Sequence, residues 1–280
     1  MDKDYNTLIE LIKKYNEEEI NNVIKAYEFA KEAHKGQFRE SKEPYIIHPV
    51  NVTINLAKFK ADGATLVAGM LHDIVEDTKY TINDIENNFG PEVAKLVLGV
   101  TKINNIHFST LDSARDANIR RIITSLNEDV RIIIIKLCDR LHNMRTLEYK
   151  APNKQQRSAL ETLSIYVPLA YLIGAYRLKC ELEDICLSYL KPMIYEDLVK
   201  KVDNIRKDYI KCIDETEKKL SEILISNNIK FDMRTRIINI FNIYRKIKSG
   251  YKINEIHDLV NIKVIVENVD DCYKVLGLVH

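Results

Sequence analysis

The most informative segment of the sequence is Leu71-His72-Asp73-Ile74-Val75-Glu76-Asp77-Thr78, which closes an apolar run beginning at Ala64. We predict a single helix from Ala64 to Glu76, with Asp62 as its N-cap. On a helix of about 100° per residue, four ionisable side chains share an arc of about 140°, namely His72, Asp73, Glu76 and Asp77. Carboxylates packed side by side are costly unless a cation neutralises them. The stretch therefore indicates a cation site or, as the plainer alternative, a frayed polar helix end facing water.

Two further segments favour the cation site. His48 precedes Pro49 in an apolar context, and Asp139 ends the apolar run that begins at Ile132. A carboxylate buried there would need a charged partner or a metal. A mixed nitrogen and oxygen donor set suits a divalent ion such as Mn²⁺, with positions left for water or phosphate, and we assign to it His48, His72, Asp73 and Asp139. The set contains no cysteine, so a closed structural zinc site is not expected.

Longer segments resemble the hydrolase domain of the bacterial RelA/SpoT homologues, HD-domain enzymes that make and destroy the alarmone (p)ppGpp. The resemblance runs in order from about Asn21 to Pro192. Its most specific blocks are Ala33-His34-Lys35-Gly36-Gln37-Phe38-Arg39, Glu43-Pro44-Tyr45-Ile46-Ile47-His48-Pro49, His72-Asp73-Ile74-Val75-Glu76-Asp77-Thr78 and Asp139-Arg140-Leu141-His142-Asn143-Met144-Arg145-Thr146-Leu147. The resemblance implies a mainly α fold, an HD-domain helical bundle around a metal.

The resemblance also implies an activity, the Mn²⁺-dependent hydrolysis of (p)ppGpp at its 3′-pyrophosphate to pyrophosphate and GDP or GTP. The metal ligands would be the four residues given above. Glu76 and Asp77 match the family's catalytic acids, which position water and move protons. The nucleotide would contact Arg39, Ser41, Asn143 and Thr146. The family usually has a lysine where this sequence has Glu40, which leaves the preference between ppGpp and pppGpp open.

A different pattern begins at Pro192. Apolar residues recur every three to four positions from Ile194 to Ile213, which predicts a long amphipathic connecting helix. Ile262, Val264 and Val266 then alternate with other residues, which predicts one strand of an incomplete α/β, nucleotidyltransferase-like unit. We expect a hydrolase domain over 1–195, the connecting helix over 196–228 and a truncated synthetase-like domain over 229–280.

The last unit resembles the opening of the family's synthetase domain, in which Asp258 matches a metal-binding aspartate. The family's phosphate-binding lysine is absent where this sequence has Thr235-Arg236-Ile237-Ile238-Asn239. We therefore expect a vestigial synthetase site without activity. The family's ribosome-sensing domains are not found in the sequence either, so no ribosome binding is expected.

Composition limits the class of protein. Only 8 glycines and 6 prolines occur in 280 residues, which favours helix. The 42 basic and 41 acidic residues nearly cancel, which excludes bulk electrostatic capture of nucleic acid. No apolar run is long enough to span a membrane, and the five cysteines form no C-x-x-C pair, as expected in a reducing cytoplasm. The sequence leaves open whether the protein is a homo-oligomer.

Two alternative functions remain at this point. Another HD phosphohydrolase would share the metal ligands and act on a different nucleotide. A catalytically quiet regulator would bind guanine nucleotides without hydrolysing them. Intact metal and acid positions argue against the regulator. The other HD phosphohydrolase would not need the Glu76-Asp77 pair or the nucleotide positions Arg39, Asn143 and Thr146, so their presence favours the alarmone hydrolase.

Overall fold

The structure is a computed structural model that describes residues 2–104, 129–256 and 259–280. The described chain is mainly α, with one small two-stranded sheet, which confirms the predicted fold class. Contacts divide the chain into two compact units, Met1–Leu190 and Lys191–His280. No helix in the described ranges is both long and apolar enough to cross a membrane.

The first unit begins with seven helices. They are α1 (Asp2–Ile12), α2 (Glu17–Ala33), α3 (Ile47–Lys58), α4 (Gly63–Leu71), α5 (Ile74–Asp77), α6 (Ile82–Phe89) and α7 (Pro91–Asn104). Local sequence signals set several of these boundaries. The side chain of Asp62 accepts from the amide of Thr65 at the start of α4, and Thr81 forms a capping box with Asp84 at the start of α6. Both caps agree with the sequence.

The rest of the first unit follows residue 128. It contains α8 (Val130–Arg145), a 3₁₀ turn (Leu147–Tyr149), α9 (Pro152–Glu161), a π-helical turn (Thr162–Tyr166), α10 (Val167–Leu172) and α11 (Tyr176–Leu190). Asp129 caps α8 by accepting from the amide of Arg131 at 2.9 Å. The isoleucines and leucines of α8 are mostly buried in the core. Polar residues that lie between them on this helix are therefore also brought into the interior.

Close packing of α3 against α4 and α8 brings side chains from these segments together. Gly69 of α4 faces Leu56 of α3 so closely that a Cβ at Gly69 would overlap the Leu56 side chain. Gly99 of α7 similarly leaves room for Ile132 of α8. Because these small residues let the helix backbones approach, side chains from α3, α4 and α8 meet in one place.

The predicted continuous helix from Ala64 to Glu76 is wrong. Helix α4 ends at Leu71, His72 and Asp73 form a turn, and α5 begins at Ile74. In a continuing helix the Gly69 carbonyl would accept the amide of residue 73. Here that carbonyl accepts Nδ1 of the His72 ring at 2.9 Å, and backbone bonding resumes where the amide of Asp77 donates to Asp73 O. The His-Asp pair therefore lies at a helix break.

The second unit contains α12 (Pro192–Ser226), β1 (Phe231–Ile237), α13 (Ile240–Lys248), a 3₁₀ turn (Ile253–Glu255), β2 (Val260–Val266) and α14 (Val269–Val279). The strands are antiparallel, in a register that pairs Phe231 with Val266 and Ile237 with Val260. A small buried cluster forms within this unit from Leu198, Val202, Ile243 and Ile256.

The long helix and the strand around Val264 agree with the sequence, but the expectation of a single strand is wrong. The sequence predicts a degraded phosphate-binding motif over residues 235–239. Strand β1 covers the first part of that segment. In β1 the charged side chains of Asp232 and Arg234 are exposed, whereas Phe231 and Met233 are half-buried. That alternation is a strand signal, made weak by the number of charged residues.

Candidate metal centre and nucleotide site

Three side chains from three helical segments converge in the first unit. His48 lies in the first turn of α3, His72 follows α4, and Asp139 lies in the middle of α8. One ligand atom from each lies within 4.8 Å of the others, and all three residues are buried. His48 Nε2 is 3.2 Å from Asp139 Oδ1, and His72 Nε2 is 3.9 Å from the same oxygen.

Asp73 completes the group. Its Oδ1 lies 3.1 Å from His72 Nε2, and its Oδ2 lies 3.4 Å from His48 Nε2. The structure therefore brings together the four side chains that the sequence predicts as metal ligands. The arrangement offers two imidazole nitrogens and two carboxylates to one point, a donor set that divalent cations accept.

The His72 ring shows that this donor set fits a cation. Nδ1 of His72 contacts the Gly69 carbonyl, whereas Nε2 is buried and makes no hydrogen bond within the described chain. Asp73 Oδ1 is near Nε2 but in a direction that makes no hydrogen bond. A buried polar atom without a partner is costly. With Nδ1 as the donor, the lone pair of a neutral His72 points at two carboxylates, where a cation would satisfy all three groups.

Without a metal, a proton takes the place of that cation. Burial lowers the pKa of His72, but the carboxylates of Asp73 and Asp139 outweigh burial and raise the pKa to about 9. The carboxylates respond in the opposite direction. Burial raises the pKa of Asp73 and Asp139, but the histidines, and for Asp139 also Lys136, hold both pKa values below the ordinary range. The pocket is thus strongly cation-selective.

Asp139 is held from two sides. Lys136 Nζ donates to Asp139 Oδ2 at 2.6 Å, and Asn143 Nδ2 donates to Asp139 Oδ1 at 2.5 Å. Burial disfavours the charged ammonium, but the Asp139 carboxylate outweighs burial and raises the pKa of Lys136. Sequence reasoning missed Lys136, although its i,i+3 spacing from Asp139 on one helix was a usable signal.

Asn143 joins the metal group to a second group of polar side chains. Its Oδ1 accepts from Arg39 Nη2 at 2.9 Å, while its Nδ2 contacts Asp139. The same Arg39 nitrogen lies 3.4 Å from Thr146 Oγ1. Three of the four predicted nucleotide-binding residues are therefore neighbours beside the metal group.

Ser41 is the exception among the predicted nucleotide-binding residues. Its hydroxyl donates to Glu43 Oε2 at 2.9 Å in the turn that follows Arg39. Lys42 in that turn has φ +66, a left-handed conformation that favours glycine. The turn is closed by the amide of Arg39, which donates to the Glu43 carbonyl at 2.9 Å. The structure therefore does not bring the Ser41 side chain to Asn143.

His142 determines which nitrogen of His48 is available. Arg39 Nη1 lies 3.4 Å from His142 Nδ1, and an arginine can only donate, so Nδ1 of His142 is the acceptor. His48 Nδ1 lies 2.8 Å from the same atom and must therefore donate to it. Burial, and then the charges of His48 and Arg39, lower the pKa of His142 to about 3, which keeps it neutral. The lone pair of a neutral His48 is consequently on Nε2, facing Asp139.

Tyr45 connects the metal group to Asp77. Its hydroxyl lies 2.8 Å from Asp73 Oδ2 and 2.8 Å from Asp77 Oδ2. The ring stacks on His34 with centroids 4.5 Å apart, and Gln37 Nε2 donates to the Asp77 carbonyl at 2.7 Å. These contacts hold the backbone and side chain of Asp77 at the edge of the site. Glu76 and Asp77 are both exposed on α5, where they can reach solvent and a ligand.

A family model described as "HD domain" matches residues 26–175, which includes all of these residues. The chain belongs to the HD-domain family. The matched range includes the His72-Asp73 pair at the helix break.

Similar curated proteins narrow this HD-domain family assignment. The chain is 38% identical over its whole length to a guanosine-3′,5′-bis(diphosphate) 3′-pyrophosphohydrolase of Spiroplasma citri, covering 38% of that protein. It is 40% identical over 99% of its length to the bifunctional (p)ppGpp synthase/hydrolase SpoT of Escherichia coli K12, covering 40%. A GTP pyrophosphokinase of Myxococcus xanthus is 39% identical over 94% of the chain, which covers 35% of that protein.

These matches confirm the resemblance to the RelA/SpoT group of HD-domain proteins. The chain spans about two fifths of the length of these relatives. Their names include both hydrolases and a pyrophosphokinase, so identity alone does not choose between the two activities. Asp258, the predicted remnant of a synthetase site, lies outside the described residues.

Proposed function

We propose that this chain hydrolyses the alarmone (p)ppGpp at its 3′-pyrophosphate, consuming one water and releasing pyrophosphate and GDP or GTP, and so acts in stringent-response control. The observation that carries the proposal is the double contact of Asn143, which bonds Asp139 of the metal group and Arg39 of the neighbouring polar group. A nucleotide bound at Arg39 would thus have its phosphates beside the metal group. The names of the hydrolase relatives support the same substrate.

The residues proposed to hold the metal are His48, His72, Asp73 and Asp139. A divalent ion bound there supplies a Lewis acid that polarises a phosphoryl oxygen and acidifies water. We propose Mn²⁺ because a mixed nitrogen and oxygen set without thiolate suits that ion. The buried, unpartnered Nε2 of His72 supports a bound cation in the functional state.

The remaining residues have separate proposed roles. Arg39, Ser41, Asn143 and Thr146 would bind the nucleotide, with the guanidinium of Arg39 as the cation for a phosphate or a guanine. The exposed carboxylates of Glu76 and Asp77 would position the attacking water and accept its proton. Tyr45 would keep Asp77 next to Asp73 through its shared hydroxyl.

We further propose the domain limits given by the sequence: a hydrolase domain over 1–195, a connecting helix over 196–228 and a synthetase-like remnant over 229–280. The division of contacts after Leu190 supports the first limit. Synthetase activity is proposed to be absent because the phosphate-binding lysine is missing. A cytoplasmic location, which three buried free cysteines support, and the absence of nucleic-acid and ribosome binding belong to the same proposal.

Pyrophosphate release from ppGpp tests the proposal. The purified protein is stripped with a chelator and assayed before and after addition of Mn²⁺, with release expected only after addition. A Glu76→Gln, Asp77→Asn double variant should lose turnover, whereas Glu10→Gln, which removes another exposed carboxylate of the same unit, should keep it. Binding of ppGpp without release would instead indicate a regulator. Faster release from another nucleotide would indicate a different HD phosphohydrolase.

A further inference from the structure

Lys136 occupies an unusual position for a lysine. It lies on α8 one turn before Asp139, and only 15% of its side chain is exposed. Its ammonium donates to Asp139 Oδ2 at 2.6 Å. The next cation on this helix, Arg140, contacts Glu161 at 2.5 Å and lies over the Tyr166 ring, so it is engaged away from Asp139 Oδ2. Lysines are rarely buried without a specific partner.

The two oxygens of Asp139 have different surroundings. Oδ1 faces His48 Nε2 at 3.2 Å and accepts from Asn143, whereas Oδ2 contacts the ammonium of Lys136. Rotation of the carboxylate would exchange the two oxygens. The ammonium distinguishes them, because it bonds one oxygen and leaves the other on the histidine side.

We propose that Lys136 is a positioning residue, which holds Asp139 through Oδ2 and so presents Oδ1 as the oxygen that faces the metal. The inference rests on the metal site of the proposed function. It assigns to Lys136 no contact with the substrate and no proton transfer. By binding one carboxylate oxygen, Lys136 makes Asp139 a one-oxygen ligand and leaves more of the coordination sphere to water and substrate.

Removal of Lys136 has two opposing effects on metal affinity. It removes a positive charge near a divalent cation, which favours binding. It also removes one of the two hydrogen bonds that hold the Asp139 carboxylate, leaving only the one from Asn143, which disfavours binding. The carboxylate of Asp139 stays in place in such a variant, so the inference requires that the loss of orientation outweighs the loss of the ammonium's repulsion of the metal. Loss of a residue that orients a metal ligand typically weakens metal affinity by about 10- to 100-fold. We therefore expect weaker binding.

The test is Mn²⁺ affinity, measured by calorimetry and by the electron paramagnetic resonance signal of free Mn²⁺, without nucleotide. Lys136→Met is expected to bind Mn²⁺ at least about tenfold more weakly than the wild type. Lys179→Met is a matched control, because Lys179 is another buried lysine, pairing with Glu183 at 2.7 Å on α11. Both variants should lose thermal stability because each breaks a buried ion pair, but only Lys136→Met should lose metal affinity.

Four outcomes distinguish the explanations. Equal or tighter Mn²⁺ binding by folded Lys136→Met would overturn the positioning role. An equal loss of affinity in Lys179→Met would also overturn it, because the effect would then be general destabilisation. If Lys136→Met does not fold, Lys136→Gln, which removes the ammonium and shortens the side chain, is tested in its place, and wild-type affinity in that variant would contradict the inference. A wild type that binds no Mn²⁺ would overturn the proposed metal site itself.

Discussion

We predict that Mn²⁺ uptake by this chain releases about one proton per ion at pH 7. Without metal, burial lowers the pKa of His72, but the nearby carboxylate of Asp73 raises it to about 9. The imidazole is therefore almost wholly protonated at pH 7, and Nε2 must lose its proton before it can bind an ion. Metal affinity therefore rises as the pH rises towards 9 and then levels off.

The size of the effect follows from the same pKa. Two pH units below a pKa of about 9, roughly one ring in a hundred is deprotonated. Proton competition then costs roughly 3 kcal/mol of apparent binding free energy at pH 7. The Kd for Mn²⁺ should fall by about tenfold between pH 7 and pH 8.

Calorimetry in two buffers with different ionisation enthalpies measures the released proton directly. A titration of the metal-free protein followed by NMR provides an independent value, because the His72 ring should titrate near pH 9 rather than near 6.5. A Kd that stays constant from pH 7 to pH 8.5, with no proton released, would refute the reasoning. It would mean that His72 Nε2 is already deprotonated in the metal-free protein.

Three further predictions concern single residues. Tyr45→Phe should lower kcat for ppGpp at saturating Mn²⁺ by about tenfold or more, because the hydroxyl that contacts both Asp73 and Asp77 is lost; an unchanged kcat would show that Tyr45 has no role in turnover. Arg39→Ala should raise KM for ppGpp by about tenfold or more, and an effect on Mn²⁺ affinity alone would contradict nucleotide binding by Arg39. Gly69→Ala should destabilise the protein by about 1–3 kcal/mol in a denaturant titration, because the new methyl group overlaps Leu56; wild-type stability would show that α3 and α4 can separate without cost.

Local signals made much of the fold predictable. The caps at Asp62 and Thr81 depend on side chains within three residues of the helix start, and so they are visible in the sequence. The break after Leu71 is not visible in the same way, because apolar periodicity continues through it. The break depends on a hydrogen bond from the His72 ring to the Gly69 carbonyl, which tertiary packing stabilises. Strand β1 was hidden because its exposed face carries charges typical of a helix surface.

The candidate site was likewise predictable only in part. The convergence of His48, His72, Asp73 and Asp139 could be predicted because buried histidines and carboxylates need partners. The tautomer of His48 could not be predicted, because it depends on a contact with His142, which is 94 positions away in sequence. Lys136 and Tyr45 were missed for a related reason. Their residue types are common, and only the distances to Asp139 and Asp73 give them a role.

The separation of the candidate ligands along the chain has a consequence for the bundle itself. His48, His72 and Asp139 enter from three different helical segments, so an ion shared among them cross-links parts of the polypeptide that lie far apart in sequence. Such a cross-link stabilises the folded state only when occupied, by about 2.7 kcal/mol at a free ion concentration of 100 times Kd. Chelation should therefore lower the melting temperature of the first unit as well as its turnover. Availability of the ion would then determine both how much of the protein is folded and how much is active.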